Sequence, residues 1–176
     1  VTAATQLLDL RRYRLQPGES RDVIVPVDCE SVTLGGLEYT SPTSVVDATL
    51  RLQPTGDGLY MRLRFACELN GPCQRCLEPA TVNVKVDATE YHQHVREGDD
   101  ADNEELVSDY LHDNQLDVAT WAREAMVLAV PSKILCREDC AGLCPACGAN
   151  RNDDPGHDCG ADVTDSRWAK LRDLEL

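Results

Sequence analysis

Cys136-Arg-Glu-Asp-Cys140-Ala-Gly-Leu-Cys144-Pro-Ala-Cys147-Gly148 places four cysteines within twelve residues. Four thiolates satisfy one tetrahedral zinc ion, so the stretch alone could close a single site. Two other groups change the count. His157-Asp-Cys159 follows Cys147 by ten residues, and Gly71-Pro-Cys73-Gln-Arg-Cys76 lies far upstream. How these donors are shared decides whether a finger is attached to a domain or one domain is stapled by metal.

A Cys-x-x-Cys bend lets two sulfurs reach one ion while backbone amides of the turn hydrogen-bond to them. Cys144-Pro-Ala-Cys147-Gly148 and Cys73-Gln-Arg-Cys76 both have this form. The loop from Cys147 to His157 is long enough to fold back. One division therefore gives a site of Cys144, Cys147, His157 and Cys159, and leaves Cys136 and Cys140 to meet Cys73 and Cys76. Eight ligands make two zinc sites. Cys29 and Cys67 remain, each standing alone in the chain and each expected to be a non-ligand, with Cys67 on a buried strand face.

A competing division puts one zinc on Cys140, Cys144, Cys147 and Cys159, or on Cys136 in place of Cys140, with Cys73 and Cys76 as a spare dithiol. A redox dithiol should open a helix, because a helix N-terminus lowers a thiol pKa. Leu77-Glu-Pro79 blocks an immediate helix there. A thiol redox sensor or enzyme using Cys73 and Cys76 therefore ranks last. Full protein coordination leaves no open position for substrate, and neither a nucleophile elbow nor a phosphate loop is present, so no catalytic residue is assigned.

The 176 residues suffice to bury a core without metal. Nine cysteines, most in close pairs, favour metal thiolates in a reducing compartment over a disulfide framework. No apolar run has the length of a membrane span, and a cytoplasmic location is expected. The formal charge of −14 is concentrated in residues 91–130, which hold 2 basic and 10 acidic groups. Such a chain repels a polyanion at long range unless one face is locally basic, whereas a basic protein suits it.

The first ninety residues read as strands. Leu59, Met61, Leu63, Phe65 and Cys67 alternate with Tyr60, Arg62 and Arg64, the pattern of a half-buried strand. Pro54-Thr-Gly-Asp-Gly58 should turn it back on Val45–Leu52. Val23–Val27 is a short apolar strand, and Val82, Val84 and Val86 form the inward face of another. The CQRC knuckle thus sits at a bend between two strands. Glu97–Glu105 carries six acids in nine positions and reads as a mobile loop. Asp117 caps a helix through Ala129 with Val118, Trp121, Ala122, Ala125 and Leu128 on its core stripe, and Pro131 ends it. A short last helix spans Asp165–Leu174 and carries Arg167, Lys170 and Arg172.

The fold class expected is α+β: an antiparallel sheet in the N-terminal half, one amphipathic helix, and a zinc-stapled Cys-rich C-terminal segment with a short terminal helix. The expected boundaries are a β-rich domain over 1–95 with the CQRC knuckle, an acidic loop over 96–114, and a helix plus Cys-rich segment over 115–176 packing on the same domain.

The order Cys73-Gln-Arg-Cys76-Leu-Glu-Pro79, Glu124 with Leu128 and Pro131, Gly142-Leu-Cys144-Pro-Ala-Cys147-Gly-Ala-Asn150, then Asp165 and Arg167 with Leu171 and Leu174, resembles the YceD-like family of bacterial and plastid proteins. The resemblance spans nearly the whole chain. It implies a role in accumulation of 23S ribosomal RNA and maturation of the large ribosomal subunit. Some family members keep the CQRC pair without the second cluster, which supports two separate sites. His157-Asp-Cys159 stands where the family often has Cys-x-Cys, and Ser166 where a Pro is common.

The resemblance names an outcome and leaves the mode of action open. A non-enzymatic zinc factor could bind a basic ribosomal protein or a pre-large-subunit particle, the reading net acidity favours. Alternatively it could contact ribosomal RNA directly through Arg75, Arg62, Arg64, Arg167, Lys170 and Arg172.

Overall fold

Leu50 faces Leu63 and Leu52 faces Met61 across an antiparallel hairpin, and all four side chains are buried. The hairpin is made of β5 (Val45–Pro54) and β6 (Gly58–Pro72). Its loop closes with the Thr55 N–H donating to the Gly58 carbonyl at 2.8 Å. In this computed structural model the described residues are 7–13, 15–16, 18–93 and 106–159. The acidic run at 97–105 and the helix expected at 165–174, with Arg167, Lys170 and Arg172, lie outside them.

The described residues fall into two compact units, Val1–Gly71 with Thr81–Ser132, and Pro72–Ala80 with Lys133–Leu176. The CQRC knuckle thus groups with the Cys-rich segment, and the helix groups with the strands.

In the first unit, β2 (Arg21–Asp28) pairs antiparallel with β5 and turns Val25 and Val27 inward. The four-stranded sheet runs β2-β5-β6-β7, with β7 (Pro79–Gln93) at one edge. The expected alternation holds on β6, where Leu59, Met61, Leu63, Phe65 and Cys67 are all buried. On β7, Val84 and Val86 are buried and Val82 is half-buried.

Two small sheets complete the unit. β3 (Val32–Leu34) and β4 (Leu37–Tyr39) are joined by Gly35 and Gly36 at φ 59° and 81°, a two-residue turn whose positive φ angles suit glycine. Within the stretch expected to be loop up to residue 114, β8 (Leu111–His112) turns through Asp113 and Asn114, again both at positive φ, into β9 (Gln115–Asp117). β9 also pairs with β1 (Leu7–Asp9).

The helix α1 spans Val118–Ala129, and Asp117 caps it by accepting from the Thr120 N–H at 3.0 Å and hydroxyl at 2.9 Å. It buries Val118, Trp121, Ala122, Ala125 and Met126 and packs against β2. Leu128 does not belong to this stripe: it is 86% exposed. On the helical wheel it falls about 20° beyond Trp121, in the last turn, while Met126 closes the opposite flank of the buried arc.

Cys67 is buried in this unit as expected, Cys29 is buried as well, and the two do not stand alone. Their thiols hydrogen-bond to each other, and this bond, with burial, pushes the Cys29 thiol strongly up.

Candidate metal centre

The second unit repeats one turn twice. At the first knuckle, the Cys73 N–H donates to the Glu78 carbonyl at 2.7 Å, and the Leu77 N–H to the Cys73 carbonyl at 2.9 Å. At the second, the Cys144 N–H donates to the Ala149 carbonyl at 2.7 Å, and the Gly148 N–H to the Cys144 carbonyl at 2.8 Å. Both knuckles need a left-handed residue after the second cysteine. Gly148 supplies it at φ 76°, and Leu77 does so at φ 65° despite its side chain.

The first knuckle is pinned to the segment ahead of Cys136. The Gln74 N–H donates to the Ile134 carbonyl at 2.9 Å, and the Ile134 N–H returns a bond to Gln74 Oε1 at 3.3 Å. Arg75 extends the attachment: Nη1 donates to the Cys140 carbonyl at 2.8 Å, and its own carbonyl accepts from the Leu143 N–H at 3.1 Å. Gly142, at φ 75°, passes so close that a Cβ would stand 3.1 Å from that Arg75 carbonyl oxygen.

These attachments bring Cys73, Cys76, Cys136 and Cys140 together, their sulfurs all within 4.8 Å of one another. Cys73 and Cys140 are 3.8 Å apart, Cys76 and Cys136 3.6 Å. A disulfide would need about 2.05 Å. Two sulfurs at about 2.3 Å from a tetrahedral ion stand about 3.8 Å apart, so the cluster fits a metal.

The second cluster holds Cys144, Cys147, His157 and Cys159, again with donor atoms within 4.8 Å. Cys144 and Cys159 are 3.6 Å apart, and Cys147 Sγ lies 3.2 Å from His157 Nε2. Asp154 approaches the other ring nitrogen, Nδ1, to 3.8 Å, and its carbonyl accepts from the His157 N–H at 3.1 Å. A carboxylate on that side favours the tautomer whose Nε2 lone pair points into the cluster.

The thiols are polarised unequally. Burial alone would raise Cys73, but the N–H groups of Arg75, Cys136 and Cys76 outweigh it and bring the thiol down to about 6. Cys76 is pushed up to about 12 by burial and by the neighbouring sulfurs. Cys144 drops to about 6 because the Cys147 and Ala146 N–H groups point at it. Thiolates are favoured at Cys73 and, through the Asn152 amide, at Cys140 in the first cluster and at Cys144 in the second, and negative sulfurs this close repel one another, a repulsion a dication relieves.

Asn152 and Asp154 escaped the reading of the sequence. Asn152 Nδ2 donates to Cys140 Sγ at 3.4 Å, while its Oδ1 accepts from the Ala141 N–H and Arg137 Nη2, both at 2.8 Å. An Asn and an Asp inside a knuckle-to-histidine loop are the only sequence signal for them.

The arginines considered for RNA contact are partly engaged within the chain. Arg62 makes a bidentate pair with Asp87 at 2.6 Å for both bonds, and Arg75 is held by the Cys140 carbonyl. Arg64 is exposed and has no ion pair among the described residues, but its charge acts on both Asp22 and Asp87. That face carries mixed charge.

Comparison with known proteins follows the same motifs. The chain is 30% identical over 174 residues to the Mycobacterium tuberculosis protein named uncharacterized protein Rv2926c, covering 98% of this chain and 82% of that one. The Mycobacterium bovis protein named uncharacterized protein Mb2951c matches to the same extent. Uncharacterized protein ML1660 of Mycobacterium leprae is 25% identical over 138 residues, covering 78% of this chain and 61% of that one. No solved structure matches. Among the described residues, no helix is long and apolar enough to cross a membrane. The family model for the large ribosomal RNA subunit accumulation protein YceD matches residues 61–175, and the chain belongs to that family.

Proposed function

We propose that the protein is a non-enzymatic, two-zinc factor that supports 23S ribosomal RNA accumulation by binding a basic ribosomal protein or a pre-large-subunit particle. One zinc is held by Cys73, Cys76, Cys136 and Cys140, the other by Cys144, Cys147, His157 and Cys159. Thiolate donors, joined in the second set by one imidazole, in closed sets of four favour zinc and leave no vacant position for a substrate. The zinc ions would therefore serve shape: the first joins segments sixty residues apart in sequence, from Cys76 to Cys136. Inside the cell the protein is expected in the cytoplasm, where thiolates stay reduced.

The observation that carries the choice of partner is the charge. At −14, with Arg62 neutralised by Asp87, the chain favours a cationic partner over a phosphate backbone. Direct RNA binding is the second reading, and exposed Arg64 is the observation for it. Co-purification at gentle salt, with and without ribonuclease, separates the two. The protein-partner reading expects a ribosomal protein to stay bound after ribonuclease. Loss of all partners on digestion, with binding to a ribosomal RNA fragment that weakens steeply with salt, would overturn it.

A further inference from the structure

A groove of about 450 Å³ opens between one edge of the four-stranded sheet and α1. Its strand side is Lys85–Glu90 of β7; its helix side is Trp121, Ala125, Leu128 and Ala129. Among the described residues no strand pairs with the outer edge of β7. An unpaired edge presents backbone donors and acceptors that an incoming strand can take up. Leu128, which the core leaves out, stands in the groove wall with most of its surface in water.

One end of the groove is acidic. Tyr110 stacks on Trp121 with ring centroids 6.0 Å apart, and its hydroxyl donates to Glu124 Oε2 at 2.6 Å. The bond to Glu124 and burial, with smaller contributions from the charges of Glu90 and Asp109, hold that hydroxyl well above the usual tyrosine range. None of these three carboxylates has a cationic side-chain partner among the described residues. Lys85, at the far end, is the groove's single cation.

We propose that this groove binds an extended, Lys- or Arg-bearing segment of a partner protein, added as a strand along Lys85–Glu90 of β7. An apolar side chain of the segment covers Leu128 and Ala125, and a cationic one sits at Tyr110 among Glu90, Asp109 and Glu124. This placement rests on the basic-partner reading above. Because only every second residue of an added strand faces the helix, the apolar and cationic side chains must stand an even number of residues apart, two or four, in that segment.

The test uses the full zinc-loaded chain and overlapping fifteen-residue peptides tiling the large-subunit ribosomal proteins. The expected binders are basic with interleaved apolar residues, and they slow amide exchange at residues 85–90. Leu128→Gln, a good helix former at an exposed site, and Glu90→Gln should each weaken binding by tenfold or more with unchanged circular dichroism. Failure of every peptide to bind, protection elsewhere, or binding indifferent to both substitutions would overturn the groove. So would concentration-dependent dimerisation abolished by Leu128→Gln, which would give the groove to a second copy. If a ribosomal protein still co-purifies after ribonuclease with both substituted chains, the groove fails while the partner reading stands. If co-purification is lost on digestion even for the unsubstituted chain, the partner reading itself fails.

Discussion

Asn152 donates its side-chain amide to Cys140 at 3.4 Å from within the loop that connects Cys147 to His157, so a residue between the ligands of one cluster supports a sulfur of the other. Of the influences on the Cys140 thiol, which is lowered, this amide is the largest. The same side chain fixes the Ala141 N–H and Arg137. Asn152→Ala should weaken metal at the first cluster by about 10- to 100-fold, the usual effect of removing an outer-shell partner. Competition with a chromogenic chelator would resolve the two sites; equal weakening of both, or of neither, would contradict this role.

The two knuckles differ at one backbone position, and that difference predicts opposite responses. Leu77→Gly relieves a left-handed residue whose side chain is 57% exposed, and should leave stability unchanged or raise it by about 1 kcal/mol. Gly148→Ala introduces the same strain at φ 76° and should lower stability by about 1 kcal/mol. Thermal unfolding of the metal-loaded chain checks both, and a clear loss from Leu77→Gly would assign the leucine side chain a packing role.

Asp117 closes the helix with both carboxylate oxygens, one on the Thr120 N–H and one on its hydroxyl. Asp117→Ala should cost about 1 kcal/mol, and Asp117→Asn much less, because the amide oxygen can still accept. Chemical denaturation followed by helix signal reads the difference.

The metal-free chain should show an acid-side thiolate. Cys144 is lowered to about 6, from an ordinary value of 9.0, by the Cys147 and Ala146 N–H groups. Because its folded value lies below its unfolded one, its stabilising contribution is present above about pH 9 and shrinks as pH falls to about 6, where it is lost. Thiolate absorbance of the apo chain, minus that of Cys144→Ser, should rise in a step near pH 6. A step near the ordinary thiol value would show that the amides do not act on the sulfur.

The sequence made legible those elements whose side chains keep a long period. Leu59 to Cys67 alternates over nine residues, and the Pro54–Gly58 turn fixes its pairing with β5. Asp117 announces the helix, and Pro131 bounds it. The pairings of the small sheets were not legible. Residues 32–39 and 111–117 form strands of two or three residues, too short for a period, and their only signals are the turn pairs Gly35-Gly36 and Asp113-Asn114. The β1–β9 pairing joins Leu7 to Asp117, a separation no local pattern encodes. Leu128 looked like core because helical spacing continues past the point where the buried arc ends. At the candidate site, donor number and reach allowed the two groups of four that come together here but also a competing single site on Cys140, Cys144, Cys147 and Cys159, and Asn152 and Asp154 act through loop geometry that spacing does not reveal.

Metal content by mass spectrometry, on the intact chain and on Cys73→Ser, tests the two-site account most directly. The account predicts close to two zinc ions per chain, falling to close to one with Cys73→Ser while Cys144, Cys147, His157 and Cys159 keep theirs. A value near one in the unsubstituted chain that Cys73→Ser leaves unchanged would contradict it.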